Sequence, residues 1–193
     1  MENNRMKRPT VEELESELRR VRYRRRYQTV LKSTVYALIT VAAVAVLVAT
    51  LWLPVLRTYG SSMTPTLNDG EIIFSVKTSR LEVGDVVAFY YNNRILVKRV
   101  IAEPGDWVDI DPDGTVYVNE KELIEPYVSE KAFGDTNIEL PYQVPDGKVF
   151  VIGDHRATSL DSRNTAVGCI TEEQLIGKIL FRIWPLQNAG FVK

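Results

Sequence analysis

Three short segments of the sequence contain side chains that could carry out chemistry. Residues 60–67 contain Ser62, residues 95–101 contain Lys98, and residues 153–163 follow an apolar run and are rich in hydrogen-bonding groups. A serine supplies a hydroxyl, and a lysine amine can act as a general base when it is neutral. Each segment also has a plain structural explanation, so the spacing and surroundings of these residues decide between the two.

The segment at residues 60–67 (GSSMTPTL) combines small, polar and conformationally special residues before the first expected strand. This composition predicts a turn that presents a hydroxyl, with Ser62 as one of two adjacent serines. The alternative is a surface loop in which the serines satisfy local backbone groups. The segment by itself leaves both open.

Lys98 interrupts an otherwise apolar strand, ILVKRVI at residues 95–101. Side chains alternate between the two faces of a strand, so Lys98 and Arg99 point in opposite directions. If Arg99 faces solvent, Lys98 lies among Leu96 and Val100, where desolvation lowers the pKa of its amine. The alternative is an edge strand with both cations solvated.

The segment at residues 153–163 holds two Asp, two Arg and two Ser within eleven residues, directly after an apolar run. Loops that follow strands often carry function. These groups could surround and orient a catalytic lysine. They could equally form a polar turn with local ion pairs.

One element must hold these segments at a membrane. No charged residue lies between Lys32 and Arg57, and residues 35–55 are almost wholly apolar. A helix of that length is about 31 Å long, close to the thickness of a bilayer core of about 30 Å. A cleavable signal peptide has a shorter apolar core and a shorter leader, so we expect an uncleaved single-pass anchor.

Charge predicts the orientation of this anchor. The chain has 24 basic and 25 acidic side chains. Residues 1–32 hold 10 of the basic and 5 of the acidic ones, which leaves 14 basic and 20 acidic side chains in the rest of the chain. Basic residues favour the cytoplasmic side, so we expect the N terminus in the cytoplasm and the remainder outside. The basic cluster beside a bilayer favours lipid over nucleic acid as the partner. We predict a cytoplasmic segment at 1–32, an anchor at 33–56 and an extracytoplasmic domain at 57–193.

Local patterns then predict a mainly β domain after a short helix. Thr10 and Glu13 form a capping-box pattern at the start of a cytoplasmic helix. Residues 119–142 are polar with weak periodicity, which indicates an excursion from the core. Seven β-type runs, separated by turn signals, lie at residues 71–76, 85–90, 95–102, 107–110, 115–118, 149–153 and 176–183.

The sequence gives no reason to expect a metal or a cofactor. One histidine and one cysteine do not supply a zinc-type donor set. No glycine-rich phosphate-binding loop is evident. The lone cysteine, Cys169, also excludes an intrachain disulfide.

The three segments together resemble the bacterial type I signal peptidases. The matching motifs are Ser-Met-x-Pro-Thr-Leu at residues 62–67, Lys-Arg-Val at 98–100 and a Gly-Asp…Ser-x-Asp-Ser-Arg box at 153–163, in the same order after an anchor. The resemblance implies a catalytic domain of small coiled β-sheets. It also implies a serine endopeptidase that removes signal peptides from exported preproteins at Ala-x-Ala-like sites.

The resemblance also implies roles for individual residues. Ser62 would attack the scissile carbonyl, and Lys98 would accept its proton and return it to the leaving amine. Met63 and Leu96 would line the substrate groove. Residues near the oxyanion or behind the lysine would be Gly60, Asp154, Ser159, Asp161 and Arg163.

Two positions depart from the pattern of the family. Gly60 stands where some members place a hydroxyl for the oxyanion hole, so stabilisation would rely on the Ser62 N–H and another donor. His155 stands where the family usually has Asn. A Ser-His enzyme is therefore an alternative, although a lone loop histidine is commonly only solvated.

Other functions are compatible with parts of the sequence. A self-cleaving Ser-Lys repressor would use similar chemistry, but it needs a DNA-binding module in place of the anchor. A tethered binding or pilus-assembly factor would not need the nucleophile and the base, which are both present. A peptidase dedicated to one exported protein remains open, because substrate range depends on the shape of the pocket.

The anchor and the candidate nucleophile are close in sequence. Ser62 follows Arg57 by about five residues, a reach of at most roughly 18 Å. A secretory signal peptide ends its apolar segment near the same interface. The sequence therefore predicts a site and a substrate that meet at the outer surface of the membrane.

Overall fold

The structure, a computed structural model, describes residues 10–52, 54–78 and 80–192. The chain forms two compact units that divide after Val48, and each is described by itself. The first nine residues of the predicted cytoplasmic segment and Leu53 of the predicted anchor lie outside the described residues. The domain limits drawn from the sequence stay predictions.

The N-terminal element is a single helix, α1, which runs from Val11 to Trp52. The capping box forms as predicted, because the Glu13 N–H donates to Thr10 Oγ1 at 3.3 Å and the Thr10 N–H donates to Glu13 Oε2 at 2.9 Å. The expected short helix is not separate, since α1 continues without a break. Within the described residues, this is the one helix long and apolar enough to cross a membrane.

The rest of the chain is mainly β, as the sequence predicts. Two short 3₁₀ helices, Glu172–Gln174 and Leu186–Asn188, flank the longest strand. The strands are β1 Val55–Arg57, β2 Ile72–Val76, β3 Val86–Tyr91, β4 Arg94–Ala102, β5 Trp107–Ile110, β6 Val116–Val118, β7 Lys121–Glu122, β8 Tyr142–Gln143, β9 Lys148–Ile152, β10 Ile170–Thr171, β11 Leu175–Trp184 and β12 Gly190–Phe191.

These strands form two antiparallel sheets. The larger has the order β1-β2-β11-β3-β4-β9-β10, with β12 paired to β11, and the smaller has the order β7-β6-β5-β8. The seven expected runs correspond to β2, β3, β4, β5, β6, β9 and β11. The strands that the sequence did not reveal are only two or three residues long, too short to show an alternating pattern.

Strand β4 lies inside the larger sheet, between β3 and β9. This position excludes the edge-strand alternative for Lys98. The condition that Arg99 faces solvent is not met, because Arg99 is 1% exposed, yet Lys98 is buried as well. The alternation argument assumes that one face of the strand meets solvent, whereas β4 is covered on both faces at this point.

Three apolar clusters fill the β domain. One contains Ile101 and Phe150 of the larger sheet together with Val108 and Val116 of the smaller, so it joins the two sheets. The other two lie along the larger sheet and include Val86 and Ala88, or Val87 and Phe89, from alternate positions of β3. The period-two alternation of β3 thus serves a core on each face.

Candidate active site

Ser62 lies in a compact turn at residues 61–67, just before β2 in the chain. The Thr64 N–H donates to the Ser61 carbonyl at 3.1 Å, and the Leu67 N–H donates to the Met63 carbonyl at 2.8 Å. Leu67 is 1% exposed and fixes the end of the turn in the apolar core.

Two arginines from the larger sheet hold this turn from outside. Arg99 of β4 donates to Thr66 Oγ1 at 3.2 Å, and Arg182 of β11 donates to the Thr66 carbonyl at 3.1 Å. Arg182 also pairs with Glu71 at 2.9 Å. The turn is therefore tied to strands on its two sides, which fixes the position of the Ser62 backbone.

The side chains of Lys98 and Ser62 are in direct contact, because Lys98 Nζ donates to Ser62 Oγ at 2.8 Å. Lys98 is 2% exposed. Burial lowers the pKa of the amine from 10.5 to about 8; Asp161 opposes this shift, Arg163 reinforces it, and Asp154 opposes it.

The lowered pKa gives the amine a neutral form in the neutral pH range. With a pKa of about 8, roughly a tenth of the molecules carry a neutral Lys98 at pH 7. In that form the nitrogen can accept the proton of the hydroxyl that it contacts. The pair can thus convert Ser62 into a nucleophile.

Asp154 and Arg99 form a buried ion pair beside the Ser62 turn. Arg99 Nε donates to Asp154 Oδ1 at 2.9 Å and Nη2 donates to Oδ2 at 2.7 Å, with both side chains at most 1% exposed. A bidentate pair of this kind fixes both distance and orientation. It joins the strand of Lys98 to the segment at residues 153–163.

The same segment touches the backbone of the nucleophile. The His155 N–H donates to the Ser62 carbonyl at 3.1 Å. A Cβ atom at Gly153 would lie 2.5 Å from that carbonyl oxygen and 2.2 Å from Ser159 Oγ. Glycine is therefore required at position 153, because the chain passes directly against Ser62.

Asp161 and Arg163 form a second buried pair in this segment. Arg163 Nε donates to Asp161 Oδ1 at 2.8 Å and Nη2 donates to Oδ2 at 2.9 Å. Asp161 Oδ2 also accepts the Gly153 N–H at 3.1 Å, and Arg163 donates to the Phe133 carbonyl at 2.9 Å. The two charges that act most strongly on the Lys98 amine are thus held rigidly.

Ser159 lies beside Gly153, but its hydroxyl makes no hydrogen bond in the structure. Of the buried polar side-chain atoms in the described part of the chain, Ser159 Oγ alone has no partner. The expectation that Ser159 orients Lys98 therefore has no recorded contact behind it.

The side chain of His155 is occupied locally. Its Nδ1 lies 2.8 Å from Thr158 Oγ1, three residues further along the same turn. Only the backbone of His155 contacts Ser62. The Ser-His alternative would need a hydrogen bond between the His155 ring and Ser62 Oγ, and it is Lys98 that makes the hydrogen bond with this atom.

A groove of about 570 Å³ opens beside Ser62. Met63 and Leu96, the expected lining residues, both border it, together with Gly60. Residues 55–60 and 93–97 also line it. A Cβ atom at Gly60 would meet open space, although the φ of +84° disfavours other residues there.

Two residues behind the site come from the excursion at residues 119–142 and could not be found from the sequence. Glu125 pairs with Arg156, whose Nη1 donates to Glu125 Oε2 at 2.9 Å. The ring of Tyr127 lies 3.8 Å from the guanidinium carbon of Arg99. These contacts span about thirty residues or more of sequence, and no local pattern marks them.

A serine hydroxyl held against a buried lysine amine, beside an open groove, is the arrangement of a serine-lysine hydrolase, a variant of the Ser-His-Asp triad. The comparisons with known proteins narrow this class. The chain belongs to the family described as signal peptidase, peptidase S26, whose pattern matches residues 31–184.

Two curated relatives and one crystal structure illustrate the match. Signal peptidase IB of Staphylococcus aureus is 42% identical over 149 residues, covering 67% of this chain and 76% of the relative. Signal peptidase I T of Bacillus subtilis is 39% identical over 142 residues, covering 67% and 72%. A signal peptidase I from Enterococcus faecalis is 27% identical with a TM-score of 0.44, covering 52% of this chain and 97% of that one.

Replacement of Lys98 by methionine should stabilise the protein. The native pKa of about 8 lies below the ordinary 10.5, so below pH 8 the folded state holds a charge that burial disfavours. At pH 7 we expect Lys98→Met to raise the free energy of unfolding by about 3 kcal/mol. The gain should vanish as the pH rises from about 8 to 10.5, where the folded state already holds a neutral amine.

The measurement is chemical denaturation of the full chain in detergent at a series of pH values, with Lys131→Met as the control. Lys131 is partly exposed, with 44% of its side chain accessible. A destabilising Lys98→Met change at pH 7, or a gain independent of pH, would contradict the burial argument.

Proposed function

We propose that this chain is a membrane-bound serine endopeptidase that removes N-terminal signal peptides from exported preproteins, with Ser62 as nucleophile and Lys98 as general base. The observation that carries the assignment is the 2.8 Å contact between Lys98 Nζ and Ser62 Oγ beside the groove. Membership of the signal peptidase family supports the substrate class.

Acylation follows from this contact. Neutral Lys98 accepts the hydroxyl proton of Ser62 while Oγ attacks the scissile carbonyl carbon and forms a tetrahedral intermediate. The resulting ammonium gives its proton to the leaving amine as the C–N bond breaks. The signal peptide is then bound to Ser62 as an ester, and the mature protein leaves with a free N terminus.

In deacylation the Lys98 amine again first accepts a proton and then donates it. Lys98, neutral again, accepts a proton from a water molecule that attacks the ester carbonyl. Collapse of the second tetrahedral intermediate breaks the bond to Ser62 Oγ, which takes the proton back from Lys98. The signal peptide leaves as a carboxylate, and both side chains return to their starting state.

The oxyanion of both intermediates needs hydrogen-bond donors. Gly60 carries no hydroxyl, so we assign the Ser62 N–H as one donor and place the second among the groups that border the groove near Gly60. The φ of +84° at Gly60 and the bond from its N–H to Asp69 Oδ1 at 2.7 Å fix the course of the chain before Ser62.

Charged residues near Lys98 set the basicity of its amine. Asp161 raises and Arg163 lowers the pKa of the amine, and Asp154 raises it less strongly. Ser159 makes no hydrogen bond with Lys98 in the structure; we assign its unpartnered, buried hydroxyl as an acceptor for the ammonium formed during the reaction.

The groove suits an extended peptide with small side chains next to the cut. Met63 is 4% exposed and Leu96 is half-buried, so they leave shallow apolar depressions near Ser62. Residues 55–60 and 93–97, which line the groove, include parts of strands β1 and β4 with which an extended chain could pair. Substrates would therefore carry Ala-x-Ala-like cleavage sites.

The membrane side of the proposal rests on α1. Its side chains from residue 11 to residue 48 are all exposed, and the uncharged stretch that follows Lys32 is long and apolar enough to cross a bilayer. The basic residues near its start favour a cytoplasmic N terminus, which leaves the β domain outside. Lipid and exported preproteins would then be the partners of the protein.

Cleavage assays with single substitutions test the dyad. Wild type and His155→Ala should cut a purified preprotein after its Ala-x-Ala site, whereas Ser62→Ala and Lys98→Ala should lose activity by at least about a hundredfold. A preprotein with a bulky residue before the cut serves as the substrate control. Normal cleavage by Lys98→Ala would overturn the assignment of the base, and loss of activity in His155→Ala would revive the Ser-His alternative.

The pH dependence of kcat/KM should report the Lys98 amine. Activity requires the neutral form, so kcat/KM should rise with pH through an inflection near pH 8. Asp161→Asn removes the charge that raises this pKa most and should move the inflection to lower pH. Asp146→Asn, in an exposed turn, should leave the profile unchanged. A shift to higher pH in Asp161→Asn would contradict the electrostatic account.

Cysteine labelling tests the orientation. In a Cys169→Ala background, an impermeant maleimide applied to cells whose wall has been removed should label Asp146→Cys. It should label Thr10→Cys only after the membrane is permeabilised. Both positions are exposed in the structure. The reverse pattern would place the β domain in the cytoplasm and exclude exported preproteins as substrates.

A further inference from the structure

Residues 125–127, here called the strap, cross behind the candidate site. They belong to the polar excursion at residues 119–142, whose function the sequence leaves open. The side chain of Glu125 is 2% exposed, although it carries a carboxylate. A buried carboxylate requires a partner, and its partner shows what the strap does.

The first contact of the strap is with the loop that supports Ser62. Arg156 donates to both carboxylate oxygens of Glu125, through Nη1 and Nη2, and its own side chain is 1% exposed. Arg156 Nε also donates to the Gly153 carbonyl at 3.2 Å. Glu125 therefore fixes an arginine that in turn fixes the loop beside Ser62.

The second contact is with the strand that carries Lys98. The ring of Tyr127 lies over the guanidinium of Arg99 at 3.8 Å, which is a close cation–π distance. Arg99 is the next residue after Lys98 on β4 and pairs with Asp154. The ring thus restrains the face of Arg99 while Asp154 restrains its edge.

A hydrogen bond within the strap joins the two contacts. The Tyr127 hydroxyl donates to Glu125 Oε1 at 2.9 Å. Burial and the neighbouring Glu125 raise the pKa of Tyr127, so this hydroxyl keeps its proton throughout the working pH range. The contacts run from Arg99, beside Lys98, through Tyr127 and Glu125 to Arg156.

The chain of contacts closes at the nucleophile. Arg156 follows His155, whose N–H donates to the Ser62 carbonyl at 3.1 Å. Tyr127 therefore contacts the residue next to Lys98, and Glu125 contacts the residue next to His155, whose N–H holds the Ser62 backbone. A displacement of about 1 Å between reacting groups can cost about a hundredfold in rate.

We propose that Glu125 and Tyr127 are positioning residues that keep Lys98 Nζ and Ser62 Oγ within hydrogen-bond distance. The inference rests on the proposed roles of Ser62 and Lys98. The strap touches neither reacting group, so it acts through Arg99 and Arg156. Its loss should change the rate of the chemical step more than the binding of substrate.

The test compares four variants of the full chain in detergent. Tyr127→Leu removes the ring from Arg99, Tyr127→Phe keeps the ring and removes only the hydroxyl, and Glu125→Gln removes the charge that pairs with Arg156. Glu122→Gln is the matched control, because Glu122 lies in the same excursion and its carboxylate forms an exposed ion pair with Lys131.

Tyr127→Leu and Glu125→Gln should lower kcat on a preprotein by about tenfold or more while KM stays within about twofold. The kcat of Tyr127→Phe should lie between those of these variants and that of wild type, and the kcat of Glu122→Gln should equal that of wild type. Circular dichroism and denaturation midpoints show the temperatures at which each variant is folded, and the assay is run at those temperatures.

The inference is overturned if both strong variants keep the wild-type kcat, or if they raise KM alone. It is also overturned if their losses match the unfolded fraction. Tyr127→Phe keeps the apolar ring, so it answers the question even if Glu125→Gln does not fold.

Failure of the proposed function would look different, because wild type itself would then cleave no preprotein. In that case the positioning role is tested by the rate at which an activated phenyl ester acylates Ser62 in wild type and in the Tyr127 variants. Intact-mass spectrometry measures this rate, and Lys98→Ala serves as the reference. Acylation of Tyr127→Phe and Tyr127→Leu at the wild-type rate would overturn the inference, and slower acylation would support it.

Discussion

Burying the amine of Lys98 is the physical constraint on which the rest of the site depends. An ammonium group loses its hydration when it is taken from water, and the loss lowers its pKa to about 8. Among the residues that the structure describes, the hydrogen-bond partner of the amine is Ser62 Oγ, at 2.8 Å. The arrangement disfavours the charged lysine and so favours the form that can accept a proton.

The surrounding arginines behave in the opposite way. Arg99, Arg156 and Arg163 are each about 1% exposed, and each is matched by a carboxylate in a bidentate pair. Guanidinium groups do not lose their proton in proteins, so a buried arginine must be paired. Of the buried cations in the described residues, Lys98 alone lacks a carboxylate within ion-pair distance. Lys98 can lose its proton, whereas the three buried arginines cannot, and Lys98 is the residue without a paired carboxylate among these four.

How much of this could be predicted from the sequence depends on the range of the interaction. The seven expected strands and the start of α1 follow from local composition, alternation and capping, and the three motif segments follow from their resemblance to one family. The burial of Arg99 does not, because its alternation with Lys98 says nothing about whether the second face of β4 is covered. The roles of Glu125 and Tyr127 could not be predicted for a related reason. Their partners lie about thirty residues away, and the sequence Glu-Pro-Tyr has no local pattern that marks it.

The sequence distances within the site connect catalysis with folding. Ser62 and Lys98 are 36 residues apart, and Arg99 and Asp154 are 55 apart, so only the completed sheet brings them together. In the unfolded chain the amine keeps its ordinary pKa of 10.5 and is charged at neutral pH, so it is no base. Once β3 and β9 enclose β4, the same amine is desolvated and meets Ser62. The chemistry proposed for the pair therefore depends on the packing around it, and a chain that has not completed this sheet has neither the contact nor the lowered pKa.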